Sequence, residues 1–253
     1  MDWYLEEDAL DDFQYDIHDL PVDQNILVEG SAGSGKTILA LLRAAKLFRA
    51  GEPFKFIVYT RALRDFIQEG VKELELPDDC LTTKRMWDGK ATTHLVVDEI
   101  QDFTLDEIKE FKNKSKYLHL FGDSFQQLYS KYKDNTTFEE LEYILGNERR
   151  KNLKYNYRLP KNIAKVAVCT RHYQPKKETA EIFVDNCKNE GESYAFEKSF
   201  KEGQEELEKN FIAELVQSES KTRQVAILLH SNKQVEELYE YLTNREIQCE
   251  VKY

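Results

Sequence analysis

Eight residues constrain this chain more than any other part of it: Gly30-Ser31-Ala32-Gly33-Ser34-Gly35-Lys36-Thr37, a match to GxxxxGK[ST]. They follow an apolar run, Ile26-Leu27-Val28, and precede a stretch in which Ile38, Leu39, Leu41, Leu42, Ala45 and Leu47 share a broad face. Strand, loop, helix is the context such a motif needs. Its glycines let the backbone curl until N–H groups converge on phosphate oxygens, and the following helix N-terminus adds a favourable dipole. Lys36 then neutralises the β- and γ-phosphates, and the Thr37 hydroxyl ligates magnesium. The expected ligand is ATP with Mg²⁺, held by Gly30, Ala32, Gly33, Ser34, Gly35, Lys36 and Thr37.

Further apolar runs at Phe56–Tyr59, Leu95–Val97 and Leu118–Phe121 are each followed by polar residues and a helix-like segment. Buried strands alternating with helices predict an α/β fold with a parallel sheet. Later, residues 224–229 read as another buried strand between two amphipathic helices, one carrying Leu207, Phe211 and Leu215, the other Val235, Leu238, Tyr239 and Leu242. The alternation Ile247, Cys249, Val251 predicts a last strand. Residues 174–192 are polar and expected to be irregular, which predicts a first domain over 1–173, a linker over 174–192 and a second unit over 193–253.

Hydrophobic residues make up 41% and charged residues 33%, with no apolar run near the ~20 residues of a membrane span. The net charge is -11, and the first Lys or Arg is Lys36. Proteins that hold nucleic acid by general electrostatics carry a basic surface, so any such contact here is expected to be local. Cys80, Cys169, Cys187 and Cys249 form no CxxC pair, which points to isolated, buried, reduced thiols rather than a zinc site or disulfide framework. The N-terminus lacks the basic and apolar stretches of a secretory signal, and a cytoplasmic location is expected.

His94-Leu95-Val96-Val97-Asp98-Glu99 sets two carboxylates directly after a strand, at the sheet edge where ligands of such folds bind. Asp98 is the natural second metal ligand. Glu99, pointing elsewhere, is placed to orient or deprotonate the attacking water, a role a hydrolase needs and a mere nucleotide binder does not.

Val97-Asp98-Glu99-Ile100-Gln101-Asp102 resembles the DExQD motif of the UvrD/Rep-like branch of superfamily 1 helicases. Gln14, sixteen residues before Gly30, is similar to that family's adenine-reading glutamine. Val58-Tyr59-Thr60-Arg61 resembles its motif Ia, which touches single-stranded nucleic acid through the positions of Thr60 and Arg61. Gly122-Asp123-Ser124-Phe125-Gln126-Gln127-Leu128-Tyr129 is similar to motif III, and Asn156-Tyr157-Arg158 matches NYR. The resemblance implies a RecA-like ATPase domain followed by part of a second one, with the site in a cleft between them. It implies that Gln126 senses the γ-phosphate, that Arg158 gives positive charge to the transferring phosphoryl group, and that Tyr157 stacks on the adenine.

The pattern also breaks. Family members follow motif III with a Trp-Arg pair whose Trp stacks on a base; here Tyr129 is followed by Ser130-Lys131-Tyr132-Lys133, leaving Tyr132 as the offset stacking candidate. The short stretch between motif Ia and Asp98 implies that the family's accessory helical subdomain is absent or vestigial. Motifs V and VI have no counterpart before Tyr253. A continuation of the chain, or a protein partner, is therefore expected to complete the second domain. Two functions follow: a Mg²⁺-dependent ATPase of the UvrD-like helicase class coupled to single-stranded DNA or RNA, or an ATP-regulated interaction module derived from one, acting with a partner such as a nuclease or defence complex.

Overall fold

A parallel sheet that must bury both faces needs strands apolar at every position, and the computed structural model shows how this chain meets that demand. It describes residues 7–124, 136–146, 150–170, 177–190, 198–229 and 231–251. The chain divides into two compact units, Met1–Ala195 and Phe196–Tyr253.

The first unit holds strands β1 (Ile26–Glu29), β2 (Phe54–Val58), β3 (Leu81–Thr83), β4 (Thr92–Val97), β5 (Ser115–Gly122) and β6 (Arg150–Asn152) in one sheet. Their order is β3-β2-β4-β5-β1-β6, and every neighbouring pair is parallel. Helices α1 (Asp12–Asp19), α2 (Lys36–Arg49), α3 (Arg61–Glu73), α4 (Leu105–Lys114) and α5 (Phe138–Leu145) flank it. The expected α/β fold with a parallel, helix-flanked sheet is therefore present.

Alternation along each strand divides the core in two. Ile26, Val28, Phe56, Val58, Val96 and Phe121 pack with Ile17 of α1, Leu39, Leu41 and Ala44 of α2, and Ile67 and Val71 of α3. The intervening Leu27, Ile57, Leu95, Val97, Leu118 and Leu120 pack on the other face with Ile108 and Phe111 of α4 and Leu141 and Leu145 of α5. At about 1.5–3 kcal/mol for each large apolar side chain removed from water, these two layers supply the main drive for closing the sheet.

Beyond β6, the strand β7 (Asn156–Pro160) pairs in parallel with β8 (Cys187–Asn189), joined through α6 (Lys161–Thr170) and α7 (Lys177–Asp185). Residues 174–192 were expected to be irregular, yet α7 and β8 lie within them. The buried Cys187 and the bond from Asn156 N to Asn186 O, 3.0 Å, tie this stretch to β7.

The second unit consists of α8 (Glu205–Glu219) and α9 (Asn232–Thr243), joined by a small core of Ala213, Leu238 and Leu242. The strands predicted at 224–229 and 247–251 are not formed: Val225, Ile227 and Leu229 are exposed, and Leu228 is 94% exposed. A strand exists only against a partner, and among the described residues neither segment is paired as one; Cys249, expected to be buried, is exposed for the same reason. No helix of the described residues is long and apolar enough to cross a membrane.

Two imidazoles are buried inside the sheet. His94 Nδ1 of β4 lies 3.0 Å from His119 Nε2 of β5, and the rings stack with centroids 5.3 Å apart. Burial, reinforced by the charge of Arg43 and by His94, holds His119 well below the usual histidine range. Burial also lowers His94, against the opposing pull of Glu52. The folded state therefore keeps both rings neutral where the unfolded chain takes up protons, below about pH 6.5. Their contribution to stability is complete above that value and is lost as pH falls below it towards the folded pKa values. Urea midpoints are expected to drop between pH 7.5 and 5.5, with a shallower dependence in His119→Gln; equal slopes in the two proteins would rule this account out.

Candidate functional site

The loop after β1 turns at glycines because the backbone there must leave the right-handed region. Gly33 has φ 83°, and Gly35, the residue capping α2, has φ 92°. There is also no room for a side chain: a Cβ on Gly33 would meet Arg158 Cβ at 2.6 Å, and one on Gly35 would meet Gln14 Nε2 at 2.5 Å. Gly30 N donates to Gly122 O at 3.1 Å, anchoring the loop to the end of β5.

Lys36 opens α2 and is buried. Its Nζ donates to Gly30 O at 2.9 Å and to Ser31 O at 3.1 Å, so the ammonium is held back against the loop by carbonyls alone. One residue on, Thr37 Oγ1 donates to Asp98 Oδ2 at 2.6 Å. β4 delivers Asp98 to this point even though β5 separates β4 from β1 in the sheet. Burial, then the neighbouring charge of Glu99, pushes the Asp98 carboxyl well above the usual range, opposed by the Thr37 hydrogen bond and by Lys36. Its second oxygen, Oδ1, is buried without a hydrogen-bond partner.

Glu99 leaves β4 in the left-handed region, φ 52° and ψ 47°, a conformation that costs a non-glycine residue about 1–3 kcal/mol. Gln101 Nε2 donates to Glu99 Oε2 at 2.6 Å, and Gln101 Oε1 accepts from Asp123 N at 3.0 Å. The amide of Gln101 thus fixes the carboxylate to the end of β5.

β7 lies against the loop. Tyr157 N donates to Gly33 O at 2.9 Å, and Asn156 Nδ2 donates to Ala32 O at 2.6 Å. Asn156 Oδ1 accepts from Arg158 N and Leu159 N, at 3.0 and 2.9 Å, so one side chain shapes β7 and secures it to the loop. The Arg158 side chain is exposed beside Gly33. From the other side, Gln14 Nε2 donates to Ser34 O at 3.0 Å. Asp11 caps α1 through Phe13 N and Gln14 N, and it also accepts a hydrogen bond from the Tyr157 hydroxyl.

Gln14, the Gly30–Thr37 loop, Asp98, Glu99, Tyr157 and Arg158 are thereby brought together. Thr60 caps α3 and Arg61 opens it, both exposed, with Thr60 Oγ1 accepting from Leu63 N at 3.1 Å. Gln126 and Tyr132 lie outside the described residues. Sequence reading missed three supports: Asn156, Gln101 and Asp11. The signals were available, in the first letter of NYR, the glutamine of DExQD and the Asp-x-x-Gln spacing of a capping box.

The donors suit a hard divalent cation. Mg²⁺ takes one or two protein oxygens and completes its shell with water and phosphate. Thr37 Oγ1 together with the partnerless Asp98 Oδ1 offers that minimal set. Among the described residues no group of three or more His, Cys, Asp or Glu forms a self-sufficient metal cage.

The parallel, helix-flanked sheet with this loop between β1 and α2 is an α/β fold similar to that of P-loop NTPase domains. Residues 151–252 match the family model of the UvrD-like helicase C-terminal domain. No curated protein sequence matches the chain. Among solved structures, it is similar to domain III of the replication initiation protein DnaA from Thermotoga maritima, with 15% identity and a TM-score of 0.39 over 96% of each chain. It is also similar to AMPPCP-bound DnaA from Aquifex aeolicus, with 15% identity and a TM-score of 0.33 over 81% of this chain and 59% of that one. A replication initiator DnaA bound to AMPPCP and single-stranded DNA is similar at 17% identity and a TM-score of 0.34, over 89% and 73%.

Proposed function

We propose that this chain is an ATPase of the UvrD-like helicase class, hydrolysing ATP with Mg²⁺ in response to single-stranded DNA or RNA. One observation carries the reading: a threonine hydroxyl and a buried carboxylate 2.6 Å apart, with a partnerless carboxylate oxygen beside them, next to a P-loop lysine satisfied only by carbonyls. Thr37 and Asp98 would hold Mg²⁺, which neutralises charge on the phosphate oxygens when bound. Lys36 exchanges the carbonyls of Gly30 and Ser31 for the β- and γ-phosphates. Glu99, oriented by Gln101, accepts a proton from the attacking water. Arg158 offers its charge to the phosphoryl group in transfer, assisted by Gln126. Gln14 and Tyr157 flank the loop on the side assigned to the adenine. Thr60, Arg61 and Tyr132 are assigned to the nucleic acid.

Steady-state ATP turnover with and without a single-stranded oligonucleotide tests the reading. Stimulation is expected, strongest at low salt where phosphate contacts are tightest. Turnover that stays unstimulated at low salt would instead favour the ATP-regulated interaction module, to which the net charge of -11 already lends support.

A further inference from the structure

We propose that Phe13, Lys154, Tyr155 and Lys188 form a platform on which a single-stranded nucleic acid stacks, separate from Thr60 and Arg61. The chain is acidic, at -11, yet every charged residue between Glu148 and Glu178 is basic: ten Lys or Arg and no Asp or Glu. A basic run inside an acidic protein confines attraction for polyanions to one place. β6, β7 and α6 are built from this run.

Aromatic rings are interleaved with its charges. The half-buried Tyr155 ring meets Phe13 edge-on at 5.6 Å, and Phe13 is itself 38% exposed. Lys188 Nζ lies 3.9 Å above the centroid of Tyr155, and Lys154 Nζ lies 5.3 Å from Tyr155 and 5.7 Å from Phe13. Both lysines are exposed, and neither pairs with a carboxylate among the described residues. The nearby Asp11 is occupied by the N-terminus of α1 and by Tyr157.

This combination selects among polyanions. An acidic protein segment would use the lysines and leave the rings idle, while a duplex keeps its base faces stacked inside. A single strand uses both: a base takes the ring face, and the displaced ammonium groups turn to the flanking phosphates. The proposal shares with the functional reading above only the class of polymer. Its test omits ATP, so the two can fail separately.

The experiment is an anisotropy titration of the full chain with labelled oligothymidylate at low salt and without nucleotide. Tyr155→Ala is expected to weaken binding by about 5- to 150-fold with an unchanged salt slope, while Tyr155→Phe, which keeps the ring, retains wild-type affinity. Lys154→Glu with Lys188→Glu is expected to weaken binding and to lower the magnitude of the salt slope by about 2. Thermal melts matching wild type establish that each variant is folded. Wild-type affinity in both the Tyr155→Ala and the double-lysine variants would overturn the proposal. So would duplex binding as tight as single-strand binding, polyglutamate competing as well as the oligonucleotide, or binding abolished by Arg61→Ala alone.

Discussion

Glu99→Gln is expected to lower ATP turnover by roughly 10²–10⁴-fold, the usual contribution of a positioned general base, while leaving ATP affinity nearly unchanged. The substitution keeps the shape of the side chain, and the new amide oxygen still accepts the hydrogen bond from Gln101 Nε2 that now reaches Glu99 Oε2 at 2.6 Å. Only the ability to take a proton is lost. The strained backbone at φ 52° argues in the same direction, because a left-handed glutamate at a strand end costs stability that a structural role alone does not require. Single-turnover hydrolysis measured beside equilibrium ATP binding separates the two effects. Unchanged turnover would show that Glu99 is not the base; lost binding would show that its carboxylate supports the loop instead.

Arg158→Ala is expected to cost on the order of 10³-fold in turnover, with binding and stability close to wild type. The backbone at this position is secured independently of the guanidinium, by Asn156 Oδ1 on Arg158 N and by Tyr157 N on Gly33 O. Truncation therefore removes charge without releasing β7 from the loop. Arg158→Lys restores a charge but not the planar fork, and should recover only part of the loss. A fall in ATP affinity matching the fall in turnover would reassign Arg158 to ground-state binding.

Much of the first unit could be read from the sequence because the physics of a doubly covered sheet writes plainly. Ile26-Leu27-Val28 and Leu95-Val96-Val97 are apolar at every position since each residue meets one core or the other. The polar strands β6, Arg-Lys-Asn, and β8, Cys-Lys-Asn, carried no such signal: β6 ends the large sheet and β8 belongs to a two-stranded one. Residues 224–229 show the reverse error, an apolar run read as a buried strand although apolarity alone supplies no pairing partner. At the candidate site, the residues proposed to act on a ligand are few and distinctive in type, which is why Lys36, Thr37, Asp98 and Glu99 stood out. Asn156 acts on the backbone carbonyl of Ala32, 124 residues away, a relationship that local spacing does not encode.

That long-range brace has a consequence for how the protein is made. The Gly30–Thr37 loop is translated before β7, and its Ala32 and Gly33 carbonyls acquire their partners only after the chain has been extended through Tyr157. Closing so large a loop is slow compared with the local winding of α2. The nascent chain therefore carries the complete motif well before it carries the loop's brace, and the proposed competence for nucleotide should follow β7 rather than the motif, as a property of the assembled domain.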